Sequence, residues 1–295
     1  MLHPCSFDHN DITWFEKINL EKYTTIKLGQ IGDLVEVRSL EALKLQTQKI
    51  HELNYKIRLV GWGANQVLHK TENIVFLKLD FPFDKKYLSE YREVYDLPAS
   101  VGLNQLTATA IRHGLKGWEV FTGIPASLGG AICMNAGTSL GEIGELVESV
   151  EVLTRKGRVE RRRLSSKDFS YRKNNFLKTD EIILSVVLRH KGQDPNLAQK
   201  IKDYLQYRKN TQPLGTKNCG SVFKNLDNFK AGQTIDSLGL KGIGSDDLKV
   251  SLKHANFIEN SGNATSSDFV ELTDFIKEEI ERCTGQKFEL EVKIY

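Results

Sequence analysis

Hydrophobic and polar positions along the first third of the chain alternate between a strand rhythm and a helix rhythm. Leu34, Val35 and Val37 read as a strand. Ser39 then caps a helical stretch carrying Leu40, Leu43, Ile50 and Leu53. Ile57 to Val60 is a short apolar run, broken at once by Gly61-Trp62-Gly63-Ala64-Asn65, and Ile74 to Leu79 is a second buried-strand candidate. Leu103 to His113 predicts a helix, with Gly114 as its left-handed cap. Val150 to Thr154 and Arg158 to Glu160 flank Arg155-Lys156-Gly157, which predicts a hairpin. The triplet Arg161-Arg162-Arg163 continues that arm without the aromatic interleaving of a nucleic-acid platform, so it reads as a solvated face. Ile182 to Leu188 closes this region as a strand.

The polar, turn-rich stretch from His190 to Pro195 reads as a linker, and a helix follows to about Asn210. A later helix starts near Ser267, places Phe269, Leu272, Ile276 and Ile280 on one face, and ends before Gly285. The last residues alternate: Phe288, Leu290, Val292 and Ile294 on one face, Glu289, Glu291 and Lys293 on the other. The pattern is that of an α+β protein with two domains.

Composition narrows the function. The 295 residues hold 41 Lys plus Arg against 38 Asp plus Glu, a formal charge of +3, which argues against a dedicated nucleic-acid binder. No apolar run is long enough to cross a membrane, and Met1 to Asn10 shows no secretory h-region. Cys5, Cys133, Cys219 and Cys283 lie far apart, without histidines at ligand spacing, so free thiols in the cytoplasm are expected and no metal site.

Four clusters carry candidate chemistry. Gly61-Trp62-Gly63-Ala64-Asn65-Gln66 follows a strand, where a tight turn aims backbone N–H groups at a phosphate; it has neither Rossmann nor Walker spacing. Gly123-Ile124-Pro125-Ala126-Ser127-Leu128-Gly129-Gly130-Ala131, running on to Asn135-Ala136-Gly137, is dense enough in small residues for close backbone approach to a large ligand. Two such loops favour a nucleotide-type cofactor over a packed crossing. Arg172 beside Tyr171 suits a carboxylate or phosphate. Ser221, in Cys219-Gly220-Ser221-Val222-Phe223-Lys224-Asn225, lacks a nucleophile elbow and suits donation of a proton or hydrogen bond.

Taken in order with Gly114-Leu115-Lys116-Gly117-Trp118-Glu119, Lys253-His254-Ala255-Asn256-Phe257 and the ending Glu291-Val292, these clusters resemble the UDP-N-acetylenolpyruvoylglucosamine reductases, also called UDP-N-acetylmuramate dehydrogenases. The resemblance runs from Tyr23-Thr24-Thr25 to the C-terminus and is similar to the shorter of the family's two types. It implies an N-terminal extension over 1–19, an FAD-binding domain of the vanillyl-alcohol-oxidase (PCMH) type over 20–190, and a substrate-binding α+β domain over 200–295. It further implies a cytoplasmic monomer that uses NADPH to reduce FAD. The flavin then reduces UDP-N-acetylglucosamine enolpyruvate to UDP-N-acetylmuramate for peptidoglycan.

Carried over residue by residue, the resemblance places Arg172 and Glu291 at the substrate carboxylate and makes Ser221 the proton donor. Burial would raise the pKa of Glu291 and let it meet the developing enolate as an acid. Thr25 and the two glycine loops fall to the cofactor; Tyr171, Arg208, Gln212, Lys224, Asn225, His254 and Asn256 fall to the substrate. The chain departs from the family at Ala64, where Ser is common, at Ala126-Ser127, where Gly-Thr is common, and at Asp247 and Leu248, where Gly and Ala are common. The rival readings are another FAD oxidoreductase of the same cofactor-domain type and a non-catalytic flavin-binding paralogue.

Overall fold

The computed structural model describes residues 5–6 and 9–295. Of the expected N-terminal extension, residues 1–4 and 7–8 lie outside the described residues. In chain order the strands and helices are β1 (Ile12–Asn19), β2 (Ile31–Val37), α1 (Leu40–Glu52), β3 (Lys56–Leu59), β4 (Gln66–Val67), β5 (Ile74–Leu79), β6 (Val94–Pro98), α2 (Leu103–His113) and α3 (Leu128–Cys133). There follow β7 (Gly137–Thr138), β8 (Gly141–Glu142), β9 (Val147–Leu153), β10 (Val159–Arg163), β11 (Phe169–Ser170), β12 (Lys173–Asn174), β13 (Ile182–Arg189) and α4 (Leu197–Thr211). The chain ends with α5 (Ala231–Ser237), β14 (Leu248–Val250), β15 (Ile258–Asn260), α6 (Ser266–Thr284) and β16 (Lys293–Ile294).

These elements gather into two compact units. The first takes the described residues up to Glu16, then Leu34–Gly61 and Val75–Gln206; the second takes Lys17–Asp33, Trp62–Ile74 and Tyr207–Tyr295. One four-stranded sheet runs β1-β2-β5-β3 and another β10-β9-β13-β6. The second sheet is the antiparallel hairpin β9–β10 extended by β13 and β6, with Val150 opposite Arg162 and Val186 opposite Leu97. Its apolar face meets α2 and α3 in a core that includes Tyr95, Trp118, Phe121, Leu128 and Val186.

Local chemistry sets the helix ends. Ser39 accepts from the Ala42 N–H, and the buried Leu43, Gln46, Thr47 and Ile50 share the inward face of α1. The left-handed Gly114 ends α2 by returning its N–H to the Ala110 carbonyl. Thr265 and Asp268 form a capping box at the start of α6, which buries Phe269, Leu272, Ile276 and Ile280. Those four join Ile26, Leu28, Val67, Phe223 and Val292 in the core of the second unit.

Three expectations need correction. The basic triplet is not uniformly solvated: Arg162 donates to both carboxylate oxygens of Glu181, at 2.6 and 2.8 Å, and to the Phe176 carbonyl. The polar stretch at 190–195 is tied down, because both ring nitrogens of buried His190 meet carbonyls, those of Gly192 and Arg92. The C-terminal alternation is not one long strand. Its strand is confined to Lys293–Ile294, paired in parallel with Gln66–Val67, with a separate antiparallel bridge at Leu290, and Glu291 is buried alongside Val292 instead of sharing the exposure of Glu289.

Candidate active site

In the first unit the two glycine loops approach each other at Ser127. A Cβ at Gly61 would stand 2.7 Å from Ser127 Oγ and one at Gly130 would stand 3.1 Å from it. Ser127 also caps α3 by accepting from the Gly130 N–H. The result is a Cβ-free edge around one hydroxyl, which fits close approach of a dinucleotide's diphosphate. Gly123 takes a left-handed φ of 73°, with Ile124, Pro125 and Ala126 leading from it to Ser127. Gly129 lies so close to Ala99 that no Cβ would fit, and Ala131 and Ala136 are buried.

Asn135 is fully buried and held at φ 45°. Its amide donates to Glu142 Oε2 and the Ser170 carbonyl, and its oxygen accepts from the Gly144 N–H. That side chain therefore shapes the loop from within. Gly137 offers its carbonyl to Arg172, which donates at 3.0 Å. Arg172 sits at the turn between β11 and β12 with a left-handed φ of 55°, its guanidinium 5.2 Å from the Tyr171 ring centre. Asn174 fastens this hairpin by donating to the Cys133 carbonyl, while Phe169 and Phe176 pack edge to face beneath it. No motif marks Asn174 as a support of the Tyr171-Arg172 turn, or pairs Arg162 with Glu181; each meets its partner far along the chain.

The second unit holds the other expected residues. Gly63 has a left-handed φ of 66°, and a Cβ there would fall 1.9 Å from the Tyr23 carbonyl oxygen. Thr25 donates its N–H to the Gly63 carbonyl and its hydroxyl to the Asn218 carbonyl. Trp62 is exposed, Ala64 is half-buried, and Gln66 opens β4. Asn65 reaches the expected catalytic strand: its amide donates to the Glu291 carbonyl at 3.0 Å, and its own carbonyl accepts from Lys293.

Residues 222–224 run antiparallel to 289–291. Phe223 bridges Leu290, Glu291 N–H donates to the Val222 carbonyl at 2.7 Å, and Lys224 N–H donates to the Glu289 carbonyl. This register sets half-buried Ser221 one residue from the position opposite Glu291, whose residue is only 8% exposed. Gly220, at φ 75°, turns the chain into this ladder with its N–H on Asn218 Oδ1. Burial pushes the neighbouring Cys219 thiol up to about 12, so it stays a neutral thiol.

Lys224 Nζ pairs with Glu289 at 2.7 Å, and the ammonium holds the Glu289 carboxyl below its ordinary value. Arg208 Nε donates to Gln212 Oε1 at 2.7 Å, and Asn225 Oδ1 accepts from the Ala231 N–H. His254 accepts at Nδ1 from the Asn256 N–H, and burial lowers its pKa. The Asn256 carboxamide is taken up on both sides by the Phe223 backbone. Of the departures, Leu248 is buried in the core of this unit, and Asp247 lies against Gly262. No group of metal-ligating side chains forms among the described residues, and no helix among them is long and apolar enough to cross a membrane.

Two family models match the chain. One, an FAD binding domain, matches residues 33–162; the other, the UDP-N-acetylenolpyruvoylglucosamine reductase C-terminal domain, matches residues 212–295. The UDP-N-acetylenolpyruvoylglucosamine reductase of Heliobacterium modesticaldum is 33% identical over 95% of this chain and 90% of its own length. The chain belongs to the UDP-N-acetylenolpyruvoylglucosamine reductase family. The Chlamydia felis member of the family is also 33% identical, covering 93% of this chain and 92% of that one. The crystal structure of the Thermus caldophilus member superposes with a TM-score of 0.80 at 31% identity, over 96% of this chain and 98% of the other.

Proposed function

We propose that this chain reduces UDP-N-acetylglucosamine enolpyruvate to UDP-N-acetylmuramate, in the cytoplasm and as a monomer, with NADPH as hydride donor and FAD as resident cofactor. The observation that carries the reading is the ladder that pairs Val222 with Glu291 and so sets Ser221 one residue from the position opposite a buried glutamate. The Ser127 edge would hold FAD, which when bound would supply hydride transfer from NADPH to the substrate's terminal vinyl carbon. The π pair then moves onto the neighbouring carbon and spreads into the carboxylate.

The chain's own residues manage that charge. Arg172 anchors the substrate carboxylate through charge-assisted bonds, its guanidinium oriented by the Gly137 carbonyl and the Tyr171 ring. Glu291 offers an acid to the developing enolate. Ser221 Oγ–H delivers the proton to the carbon beside the carboxylate; a hydroxyl is a weak acid, but an enolate is a strong enough base to take its proton. Lys224 and Asn225, next along the same segment, are the residues the family resemblance gives to the substrate.

The test is anaerobic. NADPH should bleach the flavin, and the enolpyruvyl sugar nucleotide should then restore its absorbance. Ser221→Ala should keep the bleaching and slow the return by about 10²–10⁴-fold, the usual contribution of general acid catalysis. Equal slowing of both halves would give Ser221 a structural role instead.

A further inference from the structure

Asn256 belongs to the segment that the family resemblance assigns to substrate. Its carboxamide, however, is already engaged. The Phe223 N–H donates to Asn256 Oδ1 at 2.9 Å, and Asn256 Nδ2 donates back to the Phe223 carbonyl at 2.9 Å. The Asn256 carbonyl also accepts from the Val222 N–H at 2.9 Å. The residue is 5% exposed. One side chain thus presents an acceptor and a donor to a single residue, as an antiparallel strand partner would.

We propose that Asn256 is a positioning residue for Ser221: its side-chain amide acts as a substitute strand edge that fixes the 221–223 segment in register with Glu291. The proposal rests on the reading of Ser221 as proton donor. The segment has a partner on each side. Glu291 takes the Val222 carbonyl on one edge, and Asn256 takes the Val222 N–H and both polar groups of Phe223 on the other. Asn256 is held in turn by the turn at 251–257, where Ser251 N–H donates to the Phe257 carbonyl and Phe257 N–H to the His254 carbonyl. Without the carboxamide, both Phe223 bonds on that edge would be lost and only the Val222 N–H bond to the Asn256 backbone carbonyl would remain there. Proton transfer is sensitive to such looseness, since a misplacement of about 1 Å costs about 10²-fold in rate.

Asn256→Asp keeps the size and the acceptor for the Phe223 N–H but removes the donor to the Phe223 carbonyl. In single turnovers of the FAD-loaded enzyme, flavin reduction by NADPH reports that the variant is folded. The limiting rate of flavin reoxidation at saturating enolpyruvyl substrate should fall about 10²-fold, with the substrate concentration for half-maximal rate unchanged. Combined with Ser221→Ala, Asn256→Asp should add no further loss, because it acts through that hydroxyl. In the unmodified enzyme, the Phe223 amide should be among the slowest to exchange its hydrogen.

A raised half-saturation at an unchanged limiting rate would make Asn256 a substrate ligand and overturn the proposal. So would additive losses in the double variant, or fast exchange at Phe223 in the unmodified enzyme. If Ser221→Ala alone reoxidised at the normal rate, the proton-donor reading would fall and the positioning role with it. A slow Ser221→Ala beside an unaffected Asn256→Asp would sink the positioning role only.

Discussion

Replacing Arg162 with Met tests whether the Arg162–Glu181 pair holds the first unit together. The substitution removes the two bonds to Glu181, the bond to the Phe176 carbonyl and the pair with Glu160. Glu181, with its side chain 5% exposed, keeps the Lys178 N–H as a partner but loses its counter-charge. Breaking a buried pair costs about 3–5 kcal/mol, and the 19% exposure of the Arg162 side chain places the expectation near 3. At about 2–4 °C per kcal/mol for a chain of this size, the melting temperature should drop by about 6–12 °C.

The sign of the pH dependence follows from Glu181. The Arg162 guanidinium holds its carboxyl below the ordinary glutamate value. The pair therefore contributes fully above about 4.3 and its contribution fades as pH falls through the lowered value. In Arg162→Met the stranded carboxyl prefers to be neutral, so its penalty is relieved as pH falls toward about 4.3, and the gap between variant and wild-type melting curves should go on shrinking below that. Circular dichroism melts at several pH values provide the assay. Arg162→Met with Glu181→Leu should regain most of the loss, since an apolar pair replaces an ionic one at little cost. A single variant that melts within about 1 °C of wild type, or a double variant less stable than the single, would show that the pair does not hold the unit together.

Glu291→Gln should strongly slow flavin reoxidation by the enolpyruvyl substrate while sparing FAD content and flavin reduction; Glu289→Gln, altering an exposed carboxylate paired with Lys224, should cost much less, and the reverse order in stopped-flow traces would show the wrong glutamate had been chosen. FAD should be bound without a covalent link, because burial raises the Cys133 thiol to about 11 and leaves it unreactive; yellow colour remaining in an acid-precipitated pellet would contradict this. Gly63→Ala should destabilise the second unit by at least about 1–2 kcal/mol from the left-handed backbone alone, with a further clash against the Tyr23 carbonyl. A normal melting temperature and normal FAD retention on gel filtration would show that the loop relaxes freely.

What could be read from the chain was local. The α1, α2 and α6 boundaries follow from Ser39, Gly114, Gly285 and the spacing of apolar residues, all within a turn or two of one another. The hairpin of β9 and β10 was legible for the same reason. The C-terminal alternation misled because Glu291 takes its environment from Val222 and Asn65, which no period within residues 288–294 can express. Arg162 reads in sequence as one of three solvated arginines because its partner, Glu181, lies nineteen residues on. The glycine loops, Tyr171-Arg172 and Ser221 could be found as ordered motifs, whereas the bonds that orient them join distant residues.

The parallel pairing of β16 with β4 also governs when the protein can finish folding. Val67 and Gln66 must wait for Lys293 and Ile294, more than 200 residues later, before that edge closes. Ile26, Leu28 and Val67 share a core with Phe269, Ile276 and Val292, so these early apolar side chains have no permanent cover while the middle of the chain is being made. During synthesis the second unit should mature only once residues 293–294 are available, leaving the segments at 17–33 and 62–74 open to proteases and chaperones until then. A nascent chain stalled at residue 280 should therefore be cut within 17–33 or 62–74 far faster than the released protein.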